Sequence, residues 1–354
     1  MSVTPLRYTL NLRFVQRVPQ YPGVETVSTE SPPDFTDVLP LYALPFYTPR
    51  MTLSLSTMWA QQDRFVADMH VFAREALAMG YEAIEIAHSL AAEPFERLLS
   101  YPGVPISSIH APAPLVRDRA NKANSSLNLA SLDESERRAA IDYTKKSIEL
   151  TQQAGGRWVV VHLGGVGTPM FDAEKEMRRL YDSGTRDGER MDELRASCIA
   201  KRAEMADPWL AKARETLREL AVHAEAHGVG LGIENRLHYH EIPLPAEGAW
   251  LFADYAPELV GYWHDVGHAE VQARLGYVDK RLWLDTNGPR TLGSHLHDVI
   301  GLADHRAPGN GDVDWSYIAA GLPAGALRTF EINQRQPAAD VGAAIGFLRE
   351  RGVV

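Results

Sequence analysis

Short apolar runs that break off at polar residues recur along the chain from residue 51 onward. Eight of them stand out: Met51–Met58, Tyr81–Ala87, Val104–His110, Arg157–Leu163, Val229–Glu234, Leu259–His264, Gly293–Asp298 and Leu327–Asn333. Each is nearly continuously apolar until its end, as expected for a strand buried on both faces of a parallel sheet covered by helices. Between the runs the period changes to that of a helix. Phe65, Met69, Phe72 and Ala76 fall at i, i+4, i+7 and i+11, and Gly80 supplies the stop. Ser131 and Glu134 have the spacing of a capping box before a helix that reaches Ala154. Asp207 and Pro208 are placed as N-cap and first residue of a helix. Its buried stripe is Leu210, Ala213, Leu217, Leu220 and Ala224, and Gly228 ends it. Val341, Ile345 and Leu348 predict a last helix before Gly352.

Eight β-then-α units predict an α/β fold, a (β/α)8 TIM barrel over residues 51–354. The alternative is an open doubly wound sheet, but no glycine-rich phosphate turn follows the first strand. Two segments fall outside the repeat. Residues 1–50 hold eight prolines and no clear element. They are expected to form an arm against the barrel or a partner subunit, which leaves a homo-oligomer open. Residues 164–206 form a long charged insertion after the fourth strand. Such loops lie over the active face of a barrel, so it is expected to be a lid or substrate wall, with a solvated helical excursion as the alternative.

Composition narrows the function. A formal charge of -10 disfavours a broad nucleic-acid surface, which needs clustered Lys and Arg, although a local basic cleft stays open. Cys198 is the only cysteine, so neither an intramolecular disulfide nor a thiolate metal site can form, in keeping with a reducing cytoplasm. No charged leader followed by an apolar run opens the chain, and no stretch approaches the ~20 apolar residues of a membrane span.

The chemistry collects where the strands end. Successive runs finish on His110, His162, Glu234-Asn235, His264-Asp265-Val266-Gly267-His268, His295-Leu296-His297-Asp298 and Glu331. Barrel strand ends converge on one bowl, so these side chains can meet although they are distant in sequence. Imidazole with carboxylate suits zinc, manganese, iron or cobalt. A lone histidine is more often structural, and Glu234 alone could simply pair with Arg236. Six successive strand ends carrying ligand-type residues point instead to a metal site. Glu234, Asp265, His268 and Glu331 lead the candidates, while His110 and His162 fit either metal or substrate. His88, His238 and His264 read as supporting residues. His295 and His297 share a strand face, so parity does not choose between them. His305, in the glycine-rich loop that continues to Trp315, is either a further ligand or part of a βα turn. Around the rim Arg236, His238, His240 and Arg335 are candidate substrate contacts, with surface salt-bridging as the alternative.

In this order the motifs GIEN at Glu234, HDVGH from His264, HLHD from His295, PGNGDVDW from Pro308 and FEI at Glu331 resemble the xylose isomerase-like TIM-barrel superfamily. That superfamily includes sugar isomerases and epimerases and the endonuclease IV type of apurinic endonuclease. The resemblance spans about residues 51–350. In the isomerase branch it implies one ion held by Glu234, Asp265, His295 and Glu331. His268 would touch substrate, while His297 reads from its position as a supporting residue or a further substrate contact. Glu234 and Glu331 would form an acid/base pair acting through an enediolate on a small sugar or polyhydroxy carbonyl compound. In the nuclease branch it implies up to three ions, with His110, His162, His268 and His305 added as ligands. The chain departs from that branch at Ala303, where an aspartate ligand is expected, and the Ala-Pro-Ala-Pro segment after His110 lacks bulky DNA-wedging side chains. A related sugar lyase is a further alternative.

Overall fold

A computed structural model of the protein describes residues 52–167 and 169–354. The expected arm over residues 1–50 lies outside the described residues. All eight apolar runs form strands, and ten strands occur among the described residues. They are β1 (Leu53–Ser56), β2 (Ala83–Ile86), β3 (Ile106–Ala111), β4 (Trp158–Val161), β5 (Gly230–Glu234), β6 (Val260–Asp265), β7 (Thr291–Leu296), β8 (Asp298–Ile300), β9 (Ala303–Arg306) and β10 (Leu327–Phe330). Eight close a barrel in the order β1-β10-β7-β6-β5-β4-β3-β2, with every pairing parallel. The remaining two, β8 and β9, form an antiparallel hairpin directly after β7. This is the (β/α)8 barrel expected from the pattern. No helix among the described residues is long and apolar enough to cross a membrane.

The helices depart from expectation at their ends. The stripe from Phe65 to Ala76 is buried but belongs to two helices, Asp63–Val66 and Met69–Ala78. Asp68 separates them, because its carboxylate accepts from the His70 N–H and starts the second helix afresh. The helix before Ala154 is capped by Asp133 rather than Ser131. Asp133 Oδ1 accepts from the Ser135 and Glu136 amides at 2.8 and 3.2 Å, while the Ser131 hydroxyl donates to Glu136 at 2.7 Å. A larger correction concerns Asp207-Pro208. One helix runs from Glu189 to Ala226 with Pro208 inside it. Met191, Leu194, Cys198, Arg202 and Ala206 extend the buried stripe upstream of Leu210, and this packing outweighs the single backbone hydrogen bond that proline forfeits.

Strand side chains alternate, so one parity of each strand fills the barrel interior. Its lower layer is apolar: Trp158 and Val160 from β4, Trp263 from β6 and Leu327 from β10 form one buried cluster. The Trp263 indole needs room that only glycine leaves. A Cβ at Gly232 would lie 2.6 Å from its ring, and one at Gly293 would lie 2.4 Å away. This layer is the floor on which the polar strand ends stand. Gly293→Ala should therefore force Trp263 off its rotamer and destabilise the protein by about 1–3 kcal/mol. A lowered urea midpoint at unchanged m-value is the expected result, and an unchanged midpoint would show that the floor is not packed as described.

Candidate metal centre

Two residues beyond the floor, at the same inward parity, the chemistry changes. Gly232 and Trp263 are followed two residues later by Glu234 and Asp265, and Gly293 by His295. His295 is fully buried and stands at the middle of the resulting cluster. Its Nδ1 lies 2.6 Å from Glu234 Oε1, 3.2 Å from Glu331 Oε2 and 3.6 Å from Asp265 Oδ2. Its Nε2 lies 3.0 Å from Glu85 Oε1 on β2. Glu85 also accepts from the Ser108 hydroxyl at 2.8 Å. The sequence reading passed over Glu85 as one polar position inside an apolar run. A carboxylate in Ala-Ile-Glu-Ile, at a site where neither face of the strand reaches water, was the available signal.

Two further donor sets flank the centre. On one side His110 Nε2 and His162 Nε2 are 2.7 Å apart, and His162 Nε2 is 2.7 Å from Glu234 Oε2. Arg236 Nη1 also donates to Glu234 Oε2, at 2.7 Å. The pairing of Glu234 with Arg236 thus exists, but inside the cluster. On the other side the β8–β9 hairpin returns Asp304 and His305 toward the barrel. His305 Nδ1 is 3.0 Å from Asp304 Oδ1, His305 Nε2 is 3.4 Å from Glu331 Oε2, and His268 Nε2 is 3.9 Å from Asp304 Oδ2. His305 adopts a left-handed backbone (φ 55°), rare for a residue with a Cβ and concentrated at functional sites. Where Ala303 left the nuclease pattern without its aspartate, the neighbouring Asp304 comes into reach of His268 and His305.

The cluster is charged despite its burial. Burial pushes the Glu234 carboxyl up, but His162 and His295, both hydrogen-bonded to it, hold it well below the usual carboxylate range. Asp265 is held down against burial by His268, His297 and His295, and Glu331 by His295, His110 and His305. The reciprocal effect lifts His295 and His305 well above the usual imidazole value, although burial alone would lower both. Carboxylate and imidazole thus each favour the charged form of the other. Among the described residues, His110 Nδ1, Glu331 Oε1 and Asp304 Oδ2 are buried without a hydrogen-bond partner, the first two facing each other at 3.6 Å. Buried groups of this kind call for an explanation. An oxygen- and imidazole-rich donor set with unspent acceptors, and no thiolate, fits a divalent cation of the zinc, manganese, iron or cobalt type.

The other predicted residues fall in different places. His297 is fully buried with both ring nitrogens engaged. Its Nε2 meets Asp265 Oδ2 at 3.0 Å, and its Nδ1 accepts the His305 N–H at 2.9 Å. Its ring thus braces the Asp265 carboxylate and the backbone of β9. His264 points out of the barrel to the Tyr262 hydroxyl at 2.8 Å, and His88 packs its ring 4.8 Å from that of His110. His238 Nδ1 is bound at 3.0 Å to Glu174 of the insertion, and His240 is buried beside Phe171. Arg335 is exposed on the loop after β10, and no contact joins its guanidinium to the cluster among the described residues. Asn235 is a further residue that the sequence reading did not single out. Its side chain accepts from the Asp265 N–H at 2.7 Å and donates to the Asp265 carbonyl at 2.8 Å, fastening β5 to β6 beside two candidate ligands.

The profile of the family described as xylose isomerase-like TIM barrel matches residues 73–351. No curated protein matches the chain in sequence. Solved structures share the fold at low identity. A D-psicose 3-epimerase with D-tagatose from Clostridium cellulolyticum H10 is 15% identical with TM-score 0.59, covering 86% of this chain and 100% of its own. The 3-keto-D-glucoside 4-epimerase from E. coli is 15% identical with TM-score 0.57, covering 85% and 100%. A D-tagatose 3-epimerase-like protein is 19% identical with TM-score 0.55, covering 85% and 97%.

Because His297 bonds to Asp265 and has no hydrogen bond or ion pair with His295 or Glu234 among the described residues, His297→Ala tests the bracing of Asp265. Loss of such an outer partner typically lowers metal affinity about 10–100-fold. Calorimetric titration with Zn²⁺ or Mn²⁺ should show that drop with the circular dichroism spectrum unchanged. Wild-type affinity in the variant would remove Asp265 from the binding set.

Proposed function

The chain belongs to the xylose isomerase-like TIM-barrel family, and from that premise we propose that it is a divalent-metal-dependent isomerase or epimerase of a small sugar or polyhydroxy carbonyl compound. One observation carries the reading. Glu234 and Glu331 come from strands three places apart in the barrel, yet both bring ionised carboxylate oxygens to within 3.2 Å of one imidazole nitrogen. Two bases reaching one point from different walls suit removal of a proton from one face of a carbon and its return to the other. Glu234, Asp265, His295 and Glu331 would hold the ion. A divalent cation bound there would supply fixed positive charge opposite the oxygen that becomes an oxyanion.

In the proposed reaction one carboxylate takes the proton from the carbon next to the substrate carbonyl, and the C–H electron pair moves toward the carbonyl oxygen as the enediolate forms. Return of a proton to the same carbon from the opposite face, by the second glutamate, gives an epimer; that glutamate must have taken up a proton before it acts, and the first passes its own to solvent before the next turnover. Reprotonation at the neighbouring carbon gives an aldose–ketose isomer. Burial of both carboxylates keeps water from competing for the proton. The structural neighbours, a 3-keto-D-glucoside 4-epimerase and a D-psicose 3-epimerase, support the substrate class.

A second reading, hydrolysis of a phosphate ester, draws on the His268, Asp304 and His305 set beside the centre. A second ion near the first would clamp the attacking and leaving oxygens of a phosphodiester. The two readings separate in D₂O. With a panel of aldoses and ketoses the wild-type enzyme should place deuterium on the carbon next to the carbonyl. Glu234→Gln and Glu331→Gln should each lower exchange by about 100-fold or more. A panel showing neither exchange nor product, alongside cleavage of an oligonucleotide carrying an abasic site by the same preparation, would sink the isomerase reading in favour of hydrolysis.

A further inference from the structure

The flank formed by His110, His162 and Glu234 has the composition of a metal site, with one donor atom from each residue lying within 4.8 Å of the others. Glu234 even presents its oxygens as a bridge, Oε1 toward His295 at the centre and Oε2 toward His162 on the flank. The place a flanking ion would take nevertheless holds a cation already. Arg236 Nη1 donates to Glu234 Oε2 at 2.7 Å and also contacts His162 Nε2, so one guanidinium nitrogen touches two of the three donors.

We propose that Arg236 is a built-in cation that occupies the His110–His162–Glu234 flank and excludes a metal ion from it. This rests on the reading of the central donors as a metal site.

Arg236 is held as a fixture and does not hang loosely over the donors. Its Nε donates to Glu241 Oε1 at 3.2 Å, and Glu241 Oε2 is fixed in turn by the His238 N–H at 2.8 Å. Its backbone carbonyl accepts from Gln272 Nε2 at 2.6 Å. Only 14% of its side chain is exposed. To admit an ion, the guanidinium would have to leave three partners and strand the Glu241 carboxylate in a water-poor site. An arginine cannot shed its charge to make room, because it stays protonated at any working pH. The opposite flank provides the contrast. Among the described residues no Lys or Arg is hydrogen-bonded or ion-paired to His268, Asp304 or His305, and Asp304 Oδ2 has no hydrogen-bond partner. Fixed cationic charge therefore stands on one flank only. Its chemical meaning is specific: a guanidinium offers N–H donors to a substrate oxygen but cannot bind and acidify water as a metal does.

The test counts ions. Full-length protein purified without chelator is equilibrated with Zn²⁺ and, separately, with Mn²⁺, freed of excess and analysed by elemental mass spectrometry. Arg236→Met should carry one more ion per chain than the wild type, and adding His162→Ala to it should return the count to the wild-type value. Glu241→Gln, which frees the outer end of the guanidinium, should raise flank occupancy part of the way. If Arg236→Met fails to fold, wild-type crystals soaked in Zn²⁺ decide the matter. An anomalous difference map should then show density at the centre and none between His110, His162 and Glu234. Density at that flank in the wild type, or equal ion counts in wild type and Arg236→Met, would overturn the proposal. A wild type that binds no ion at all would overturn both the proposal and the metal-dependent reading. Absence of deuterium exchange with the gain of one ion intact would remove the isomerase and leave this inference standing.

Discussion

Burying several carboxylates around one imidazole is the constraint from which most of this structure follows. Glu85, Glu234, Asp265 and Glu331 all approach His295, and none is more than 1% exposed. Taking such charges out of water costs several kcal/mol per ion unless opposite charge and hydrogen bonds replace the solvent. A closed barrel meets that requirement because strands remote in sequence can each bring one group to the same place. The aromatic floor keeps the cluster at one height, and His297 and Asn235 fix Asp265 from outside and from the neighbouring strand. The histidine rings, the Arg236 guanidinium and the proposed ion all face the cluster's negative charge.

The insertion after β4 is bound up with the same constraint. Its first residues bridge to the loop after β5, with the Val166 N–H donating to the His240 carbonyl and the Ile242 N–H to that of Gly164. Glu174 receives both the His238 ring and the Tyr239 N–H, and Arg178 donates to the Leu237 carbonyl. Farther along, Arg202 makes a buried ion pair with Glu247 and donates to the Glu241 carbonyl. The segment that carries Arg236 and Glu241 is thus gripped from the side by helices that the barrel repeat does not require. In sequence Arg236, His238 and His240 looked like rim contacts for substrate, and in the structure the His238 ring and the His240 carbonyl are bonded to the insertion.

How much of this could be seen beforehand depended on the range of the interaction. The eight strands were legible because burial on both faces leaves an unbroken apolar signature, and the donors were legible because they sit where each signature stops. Period-2 parity even separates inward Asp265 from outward His264. Glu85 escaped because its partners, His295 and Ser108, are on other strands and nothing near it in sequence announces them. Pro208 misled through a local rule that a long buried stripe overrode, whereas the stripe itself, from Met191 to Ala224, was present in the sequence for a wider window to find. Asp133 displaced Ser131 as cap because both residues offer an oxygen at plausible spacing and only the backbone path chooses. The β8–β9 hairpin lies under polar residues that resemble ordinary loop chemistry, so its part in returning His305 to the bowl was hidden.

That hairpin is also a compact excursion with few ties to the barrel. Asp298, at its root, accepts the amides of Val299, Gly309 and Val313, so the excursion closes on its own stem, while the His305 N–H on the His297 ring, the Asn333 N–H on the His305 carbonyl and Arg274 on the Gly301 carbonyl hold it in place. Its strand β9 delivers Asp304 and His305 to the edge of the bowl. Exchange of the segment from Ile300 to Arg306 for another of equal span would leave the eight barrel strands and their floor alone while rewriting what stands beside Glu331. Divergence of chemistry within such a scaffold can proceed by loop replacement, one short segment at a time, and a designer grafting a new activity onto this chain would cut between Ile300 and Arg306.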